Sequence, residues 1–326
     1  VYMPLFNRAL MAMYPPGSTF KLVDALVGQQ EGVLTPGTRY WCPGGFPLGN
    51  GKKVGCHPHP SPLDLLGAIQ ISCNSYFCRV FRSIIDNKSY SHTRQAYQSW
   101  RKEVMSFGFG KRLGIDIPGE LNGNIPTPTY YDRYHGVNRW NSMSIISLGI
   151  GQGEIGITPI QLANLAALIS NRGWYYSPHV IRAIGRKDSL NTAYDTKHHA
   201  LIDSRYFDVV IEGMADVVTA GTGTIAKLDS VTICGKTGTA QNPHGKNHSI
   251  FIAFAPLEDP KIAISVVCEN AGYGATWAAP IASLMIEKYL KRQVTRRELE
   301  ERMINGNLIN GILPENERGK GNILPD

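Results

Sequence analysis

The sequence predicts an α+β fold with an antiparallel sheet. Helical patterns fill the middle of the chain and strand patterns cluster late. That order separates the two kinds of element instead of alternating them as a doubly wound α/β fold would. The two late apolar runs, residues 249–254 and 261–267, are joined by Pro256-Leu257-Glu258-Asp259-Pro260, which makes them a hairpin and so antiparallel. With 326 residues, 43% apolar and 18% charged, the chain can bury one large core or two small ones. The same composition excludes bulk disorder, collagen and a coiled coil.

Taken in order, Pro15-Pro16-Gly17 predicts a rigid turn and residues 18–27 a helix, with Ser18 at its start where a hydroxyl residue is favoured. Residues 35–60 are rich in Gly, Pro, Cys and His and read as an irregular loop. Ser61-Pro62-Leu63-Asp64 reads as a helix start, with Ser61 as N-cap and Pro at the first position. That helix is expected to run to about residue 71, and another to open after Asn74. Residues 108–130 carry Gly, Pro and Asn punctuation and read as loop. Thr158-Pro159 starts a helix over 160–169 by the same cap logic. Residues 204–218 have helical periodicity ending at Gly221-Thr222-Gly223, and 231–234 form a short β-rich run. Residues 280–290 make a last apolar-faced helix, and from Lys291 a short helix and then a loose end are expected. There is no internal repeat.

The formal net charge of +7 favours anionic partners. The basic residues are scattered, however, with no block of five like charges and no recognition motif, so nucleic acid is not expected as a partner. No apolar run approaches the length that spans a bilayer, and no signal peptide is expected in these residues. Val1 rather than Met opens the chain, as expected of a fragment whose targeting segment is missing. Six cysteines are too few for a disulfide scaffold of this length and leave the compartment open.

Three short motifs carry the chemistry: Ser18-Thr19-Phe20-Lys21, Ser72-Cys73-Asn74 and Lys236-Thr237-Gly238-Thr239. A serine hydroxyl is a poor nucleophile until a base takes its proton. Lys21, three residues on, lies one helical turn away on the same face as Ser18. It serves as a base only when neutral, which nearby cations and burial favour. The helix N-terminus favours negative charge developing on the seryl oxygen. The Ser72 hydroxyl suits a proton relay to a leaving amine, and the Asn74 amide suits orienting the lysine. Lys236 and Thr237 offer a cation and a hydroxyl for a substrate carboxylate, and Gly238 allows close backbone approach. The backbone N–H groups of Ser18 and Thr239 are the candidate oxyanion hole. Lys-Thr-Gly is not the end of a nucleotide P-loop, because Ser230 stands where that loop needs glycine.

This ordered set resembles that of β-lactamases and penicillin-binding proteins. The resemblance to class B penicillin-binding proteins is closer. It is carried by Tyr14-Pro15-Pro16-Gly17-Ser18-Thr19-Phe20-Lys21, Gly149-Ile150-Gly151-Gln152-Gly153 followed by Thr158-Pro159-Ile160-Gln161-Leu162-Ala163, and Gly235-Lys236-Thr237-Gly238-Thr239-Ala240. Phe251-Ile252-Ala253-Phe254-Ala255-Pro256 and Glu269-Asn270 match as well, and the Cys-rich loop before Ser72 points to the penicillin-binding protein 2 branch, the elongation transpeptidase. The resemblance covers about residues 5–290. It implies the penicillin-recognising fold, an antiparallel sheet between helical layers, with residues 1–290 as the transpeptidase domain and 291–326 as a tail. It implies a DD-transpeptidase that cross-links peptidoglycan stem peptides through a seryl acyl-enzyme on Ser18 and is inhibited by β-lactams. A serine β-lactamase or a non-catalytic β-lactam-sensing domain is the alternative. No cofactor is implied for the chemistry. The implied setting is the cell inner membrane with the catalytic domain in the periplasm, reached through an N-terminal anchor expected to be missing from this sequence. A SEDS-family glycan polymerase and elongation-complex proteins are the implied partners. The family's non-catalytic domain and first sheet strands are expected to be missing as well, since 17 residues precede Ser18.

Secondary features need separate readings. Gly151-Gln152-Gly153-Glu154-Ile155-Gly156 fits Gly-x-Gly-x-x-Gly, but the next helix begins only after Thr158-Pro159, so a turn is expected and not a dinucleotide site. Glu120 is expected to be a loop carboxylate and not the base of a deacylating water. Cys42, Cys56, His57, His59 and Cys73 are candidate ligands for a tetrahedral zinc ion. The penicillin-binding protein 2 resemblance implies a metal between the first two motifs and favours His59 over His57, giving Cys42, Cys56, His59 and Cys73. A Cys42–Cys56 disulfide or buried thiols are the alternatives. Cys78, Cys234 and Cys268 read as core residues. Trp277 reads equally as acyl-pocket wall and as core, and His198-His199 as solvated surface.

Overall fold

The computed structural model describes residues 3, 5–183 and 194–308. The central sheet has three antiparallel strands in the order β5-β6-β7: Cys234–Ala240, His248–Ala255 and Ile262–Cys268. Register pairs Thr237 with Phe251 and Ile252 with Ser265. The middle strand is apolar on both faces. Ile250, Ile252 and Phe254 enter one core, and Phe251, Ala253 and Ala255 enter the other. This period-2 split is why residues 249–254 read as a continuous apolar run and not as an alternation.

Helices cover both faces. On one side α7 (Pro159–Ser170) packs on β6 and β7 and α8 (Phe207–Ala220) on β5, while on the other α9 (Ala278–Lys291) packs on β6 and β7. The expected antiparallel sheet between helical layers is the observed architecture. The larger core extends into a helical region built round α2 (Lys21–Gln30) and α4 (Asn74–Ile85). Every residue of α2 from Lys21 to Gln29 is buried, as in a helix surrounded by others. Around these lie α1 (Arg8–Met11), α3 (Leu65–Gln70), α5 (Thr93–Ser106) and α6 (Pro128–His135).

Local chemistry explains where expectation and structure part. Residues 35–60 are not wholly irregular: they contain a hairpin of β1 (Gly45–Gly49) and β2 (Lys52–Gly55). Ser61 does not cap α3. Its Oγ accepts from Cys42 N at 2.7 Å, and Asp64 is the cap, its Oδ1 accepting from Gly67 N at 3.0 Å. Ser18 is no N-cap either, because Gly17–Phe20 is a 3-10 turn that feeds α2. The expected cap at Thr158 is present as a capping box with Gln161. The strand expected over 231–234 instead runs from Cys234 to Ala240, so Lys236-Thr237-Gly238 lies within β5. A second hairpin of β3 (Trp174–Tyr176) and β4 (Lys197–His199) places His198 half-buried, stacked on Tyr175 and 3.1 Å from Ser177 Oγ, and only His199 is exposed. After Lys291, α10 (Arg297–Asn305) follows as the expected short helix. The turn that leads into it is tied to α9 by buried Glu287, which accepts from Thr295 N (3.0 Å) and Arg296 Nε (3.0 Å). The loose end expected beyond it lies outside the described residues.

Candidate active site

Gly17 sets the position of the first motif. It takes φ +55°, and a Cβ there would fall 2.5 Å from Thr239 O and 3.1 Å from Thr239 N. Glycine alone permits this contact between two backbones. Thr19 Oγ1 ties the turn by donating to Pro16 O at 2.8 Å. Gly17, Thr19 and Phe20 are buried, so Ser18, half-buried, is the residue of this turn that keeps access to solvent.

Lys21 is fully buried in the first turn of α2. Its Nζ donates to Ser72 O at 2.6 Å and to Asn74 Oδ1 at 2.6 Å, and lies 3.0 Å from Ser72 Oγ. Ser72 turns both acceptors toward the amine by adopting φ +60°, a left-handed conformation that costs a side-chain-bearing residue about 1 kcal/mol. Asn74 Nδ2 donates to Gly55 O at 2.8 Å, which fixes the amide with its oxygen on Lys21.

The third motif forms the opposite wall. β5 is an edge strand, and its outer side faces the nucleophile turn. A Cβ on Gly238 would meet Thr19 Cγ2 at 2.9 Å and Pro16 O at 3.0 Å, so this glycine too is required by close approach. Lys236 is fully buried and Thr237 nearly so. The structure thus sets Lys21, Ser72 and Asn74 in direct contact, and seats Gly238 and Thr239 against the Gly17–Thr19 turn that carries Ser18, with Lys236 and Thr237 in the same strand.

Sequence reasoning missed two residues here. Thr222 Oγ1 lies 2.6 Å from Thr237 Oγ1, while its N donates to Gln70 O at 3.3 Å, joining the third motif to the end of α3. The Gly221-Thr222-Gly223 triplet announced only a helix end, although a glycine-flanked threonine is a signal for close approach. Gln152 spans to β5; the Gly149–Gly153 motif contains it, but nothing in the motif assigned its side chain a role. The Gly-x-Gly-x-x-Gly segment is a turn, with Gly151 and Gly153 at φ +68° and +78°. Glu120 is a structural carboxylate, accepting from Leu113 N, Gly114 N and Ile115 N at 2.5–3.2 Å. Trp277 is buried against Gly306, and Cys78 and Cys234 are in the core, with Cys268 half-buried beside it.

Ligand atoms of Cys42, Cys56, His59 and Cys73 lie within 4.8 Å of one another, whereas His57 is outside this group. His59 Nδ1 sits 2.8 Å from Pro60 O, and its Nε2 is buried with no hydrogen-bond partner. An imidazole held at one nitrogen with the other lone pair unspent has the form of a metal ligand. All six cysteines are free thiols. Cys56 Sγ and Cys73 Sγ share a hydrogen bond across 3.9 Å, and Ser75 N donates to Cys56 Sγ at 3.2 Å, so Cys56 is drawn below the usual thiol pKa and Cys73 is pushed above it. Three thiols and one imidazole are a donor set that fits zinc. Because Cys73 separates Ser72 from Asn74, this cluster adjoins the lysine's acceptors directly.

Comparison with known proteins agrees with this geometry. The chain is 32% identical over 348 residues to the peptidoglycan D,D-transpeptidase MrdA of Acinetobacter baumannii, covering 98% of this chain and 49% of the relative. It therefore spans about half the length of the curated protein it matches. The Pseudomonas aeruginosa PBP2 structure in complex with WCK 5153 superimposes with a TM-score of 0.76 at 31% identity, over 90% of this chain and 63% of that one. A chain from a peptidoglycan synthase complex, described as coordinating polymerization and crosslinking, superimposes with a TM-score of 0.75 at 26% identity, over 90% of this chain and 49% of that one. The family model of the penicillin binding protein transpeptidase domain matches residues 2–287, nearly the whole described fold, and the chain belongs to that family.

Proposed function

We propose that this chain is the acyl-transfer domain of a peptidoglycan D,D-transpeptidase of the penicillin-binding protein 2 type. The observation that carries the reading is the buried Lys21 amine, held by Ser72 and Asn74 within one turn of Ser18 and opposite Thr239. In the proposed reaction neutral Lys21 takes the Ser18 proton, and Ser18 Oγ attacks the carbonyl of the penultimate D-alanine of a stem peptide. The Ser18 and Thr239 N–H groups receive the developing oxyanion. The Ser72 hydroxyl passes the proton from Lys21 to the leaving amine, and terminal D-alanine departs. Lys236 and Thr237 hold its carboxylate, with Gly238 keeping the strand open to it. An amine of a neighbouring stem then resolves the acyl-enzyme. β-Lactams acylate the same serine.

The proposed zinc ligands are Cys42, Cys56, His59 and Cys73. Bound there, the ion would supply a structural cross-link between the 40–60 segment and the second motif. The chemistry itself requires no cofactor. Residues 1–290 form the proposed catalytic unit and 291–326 the proposed tail. In the whole protein we place this unit in the periplasm behind an inner-membrane anchor, beside a SEDS-family glycan polymerase and elongation-complex proteins. The similarity to a peptidoglycan synthase complex supports that company. The β-lactamase alternative loses its candidate base, since three backbone N–H groups occupy the Glu120 carboxylate.

The test is intact-protein mass after incubation with benzylpenicillin. A long-lived adduct of one drug mass, absent from Ser18→Ala, is expected. Rapid drug turnover would favour a lactamase, and a folded chain that never acylates would refute the reading. Cross-linked product from stem peptides separates the enzyme from a β-lactam sensor.

A further inference from the structure

The turn Gly151-Gln152 touches both the nucleophile turn and β5. Gly151 O accepts from Gly17 N at 2.9 Å, directly beside the nucleophile. Gln152 N is anchored to Ser147 O at 3.0 Å. From there the half-buried Gln152 side chain reaches the edge of β5: Nε2 donates to Thr239 O at 3.0 Å, and Oε1 accepts from Gln241 N at 3.4 Å.

A strand residue sends its N–H and C=O to the same edge, and the N–H two residues on joins them there. The primary amide of Gln152 therefore pairs with β5 as one rung of an added strand, on the edge away from β6. Since Thr239 O faces that edge, Thr239 N–H faces it as well. The atoms around Gly17 agree, because Thr239 N and O both lie within 3.1 Å of where its Cβ would be. β5 continues into Gln241 past its last paired residue, Ala240, which faces His248. Its end would otherwise be free to twist.

Resting on the acyl-transfer reading, we infer that Gln152 is a positioning residue for the oxyanion hole. It holds the end of β5 against the same turn that holds Gly17, and so fixes the separation of the Ser18 and Thr239 N–H groups. Preorganised donors act on charge that develops in the transition state, so losing the clip slows acylation more than it weakens binding.

The test uses the chain as it stands, with a fluorescent penicillin followed by stopped flow. Wild-type labelling at Ser18 establishes the acyl-transfer reading first, and its absence would fail that reading, and the inference with it, before any variant is compared. For Gln152→Ala the limiting acylation rate should fall on the order of 10-fold, with the pre-acylation dissociation constant within about twofold of wild type. Gln152→Glu keeps the acceptor for Gln241 N but turns an oxygen onto Thr239 O, and should fall at least as far with an unchanged melting temperature. It also serves if the alanine variant does not fold. An unchanged acylation rate in a folded variant, or a change confined to the dissociation constant, would overturn the inference. So would a rate loss matched by a loss of melting temperature in both variants.

Discussion

Lys21 Nζ lies 2.6 Å from Asn74 Oδ1, and the other end of that amide is fixed on Gly55 O. The general base of the proposed reaction is therefore aimed by a residue itself anchored to the β1–β2 hairpin. Asn74→Ala should lower the acylation rate at least 10-fold, since small misplacements of a reacting group are costly. Asn74→Asp retains an acceptor but sets an anion beside the amine. An opposite charge favours the protonated lysine, so the pH–rate profile for acylation should move to higher pH. A profile that stays in place would show that the carboxylate does not face Lys21.

Zinc content checks the Cys/His cluster. Purified protein never exposed to chelator should carry about one equivalent by elemental analysis, and His59→Ala or Cys56→Ser should lose it together with several degrees of melting temperature. Less than about a tenth of an equivalent in wild type would sink the assignment. His57→Ala should keep the metal, since that ring lies outside the group of converging ligand atoms.

Ser18, Lys21, Ser72, Asn74 and the Lys236–Thr239 run were legible because each motif is short and its order along the chain is informative. The sheet was legible because β6 and β7 are apolar runs with a Pro-bounded turn between them. The β1–β2 hairpin was not, since Gly45–Gly49 and Lys52–Gly55 are mostly exposed and carry no alternation. Asp64 outcompeted Ser61 as cap for a reason no local rule contains: Ser61 is engaged by Cys42 N, a partner 19 residues away. Thr222 and Gln152 escaped for the same reason, because their partners Thr237 and Thr239 are distant in sequence and meet them only once β5 is seated.

The hydroxyl pair of Thr222 and Thr237 leads to a prediction about ligand charge. With one hydroxyl donating to the other across 2.6 Å, the second proton is left for a ligand. Thr222→Val removes the partner while keeping the shape. Acylation by carboxylate-bearing penicillins should slow several-fold, penicillin esters should be affected less, and Thr222→Ser should restore the rate. Equal losses for acid and ester would show that Thr222 only braces the loop.

Asp24 couples stability to pH. It is fully buried, with Oδ1 accepting from Trp100 Nε1 at 2.9 Å and Oδ2 left without a partner. Burial pushes its pKa up to about 8, only partly opposed by the Trp100 bond. At acid pH the carboxyl is neutral in both folded and unfolded chains and contributes no pH-dependent change in stability. As pH rises past the ordinary carboxyl value of about 4, the unfolded chain releases its proton first, so this group's contribution destabilises the fold progressively until pH reaches about 8. Asp24→Asn keeps an oxygen for Trp100 and cannot ionise. Measured by urea unfolding, the variant should gain on wild type between pH 5 and pH 8.5, by roughly 1 kcal/mol or more at the upper end. A difference that stays flat across that range would show that Asp24 is ionised inside the fold at acid pH, and would require a counter-charge beside Oδ2.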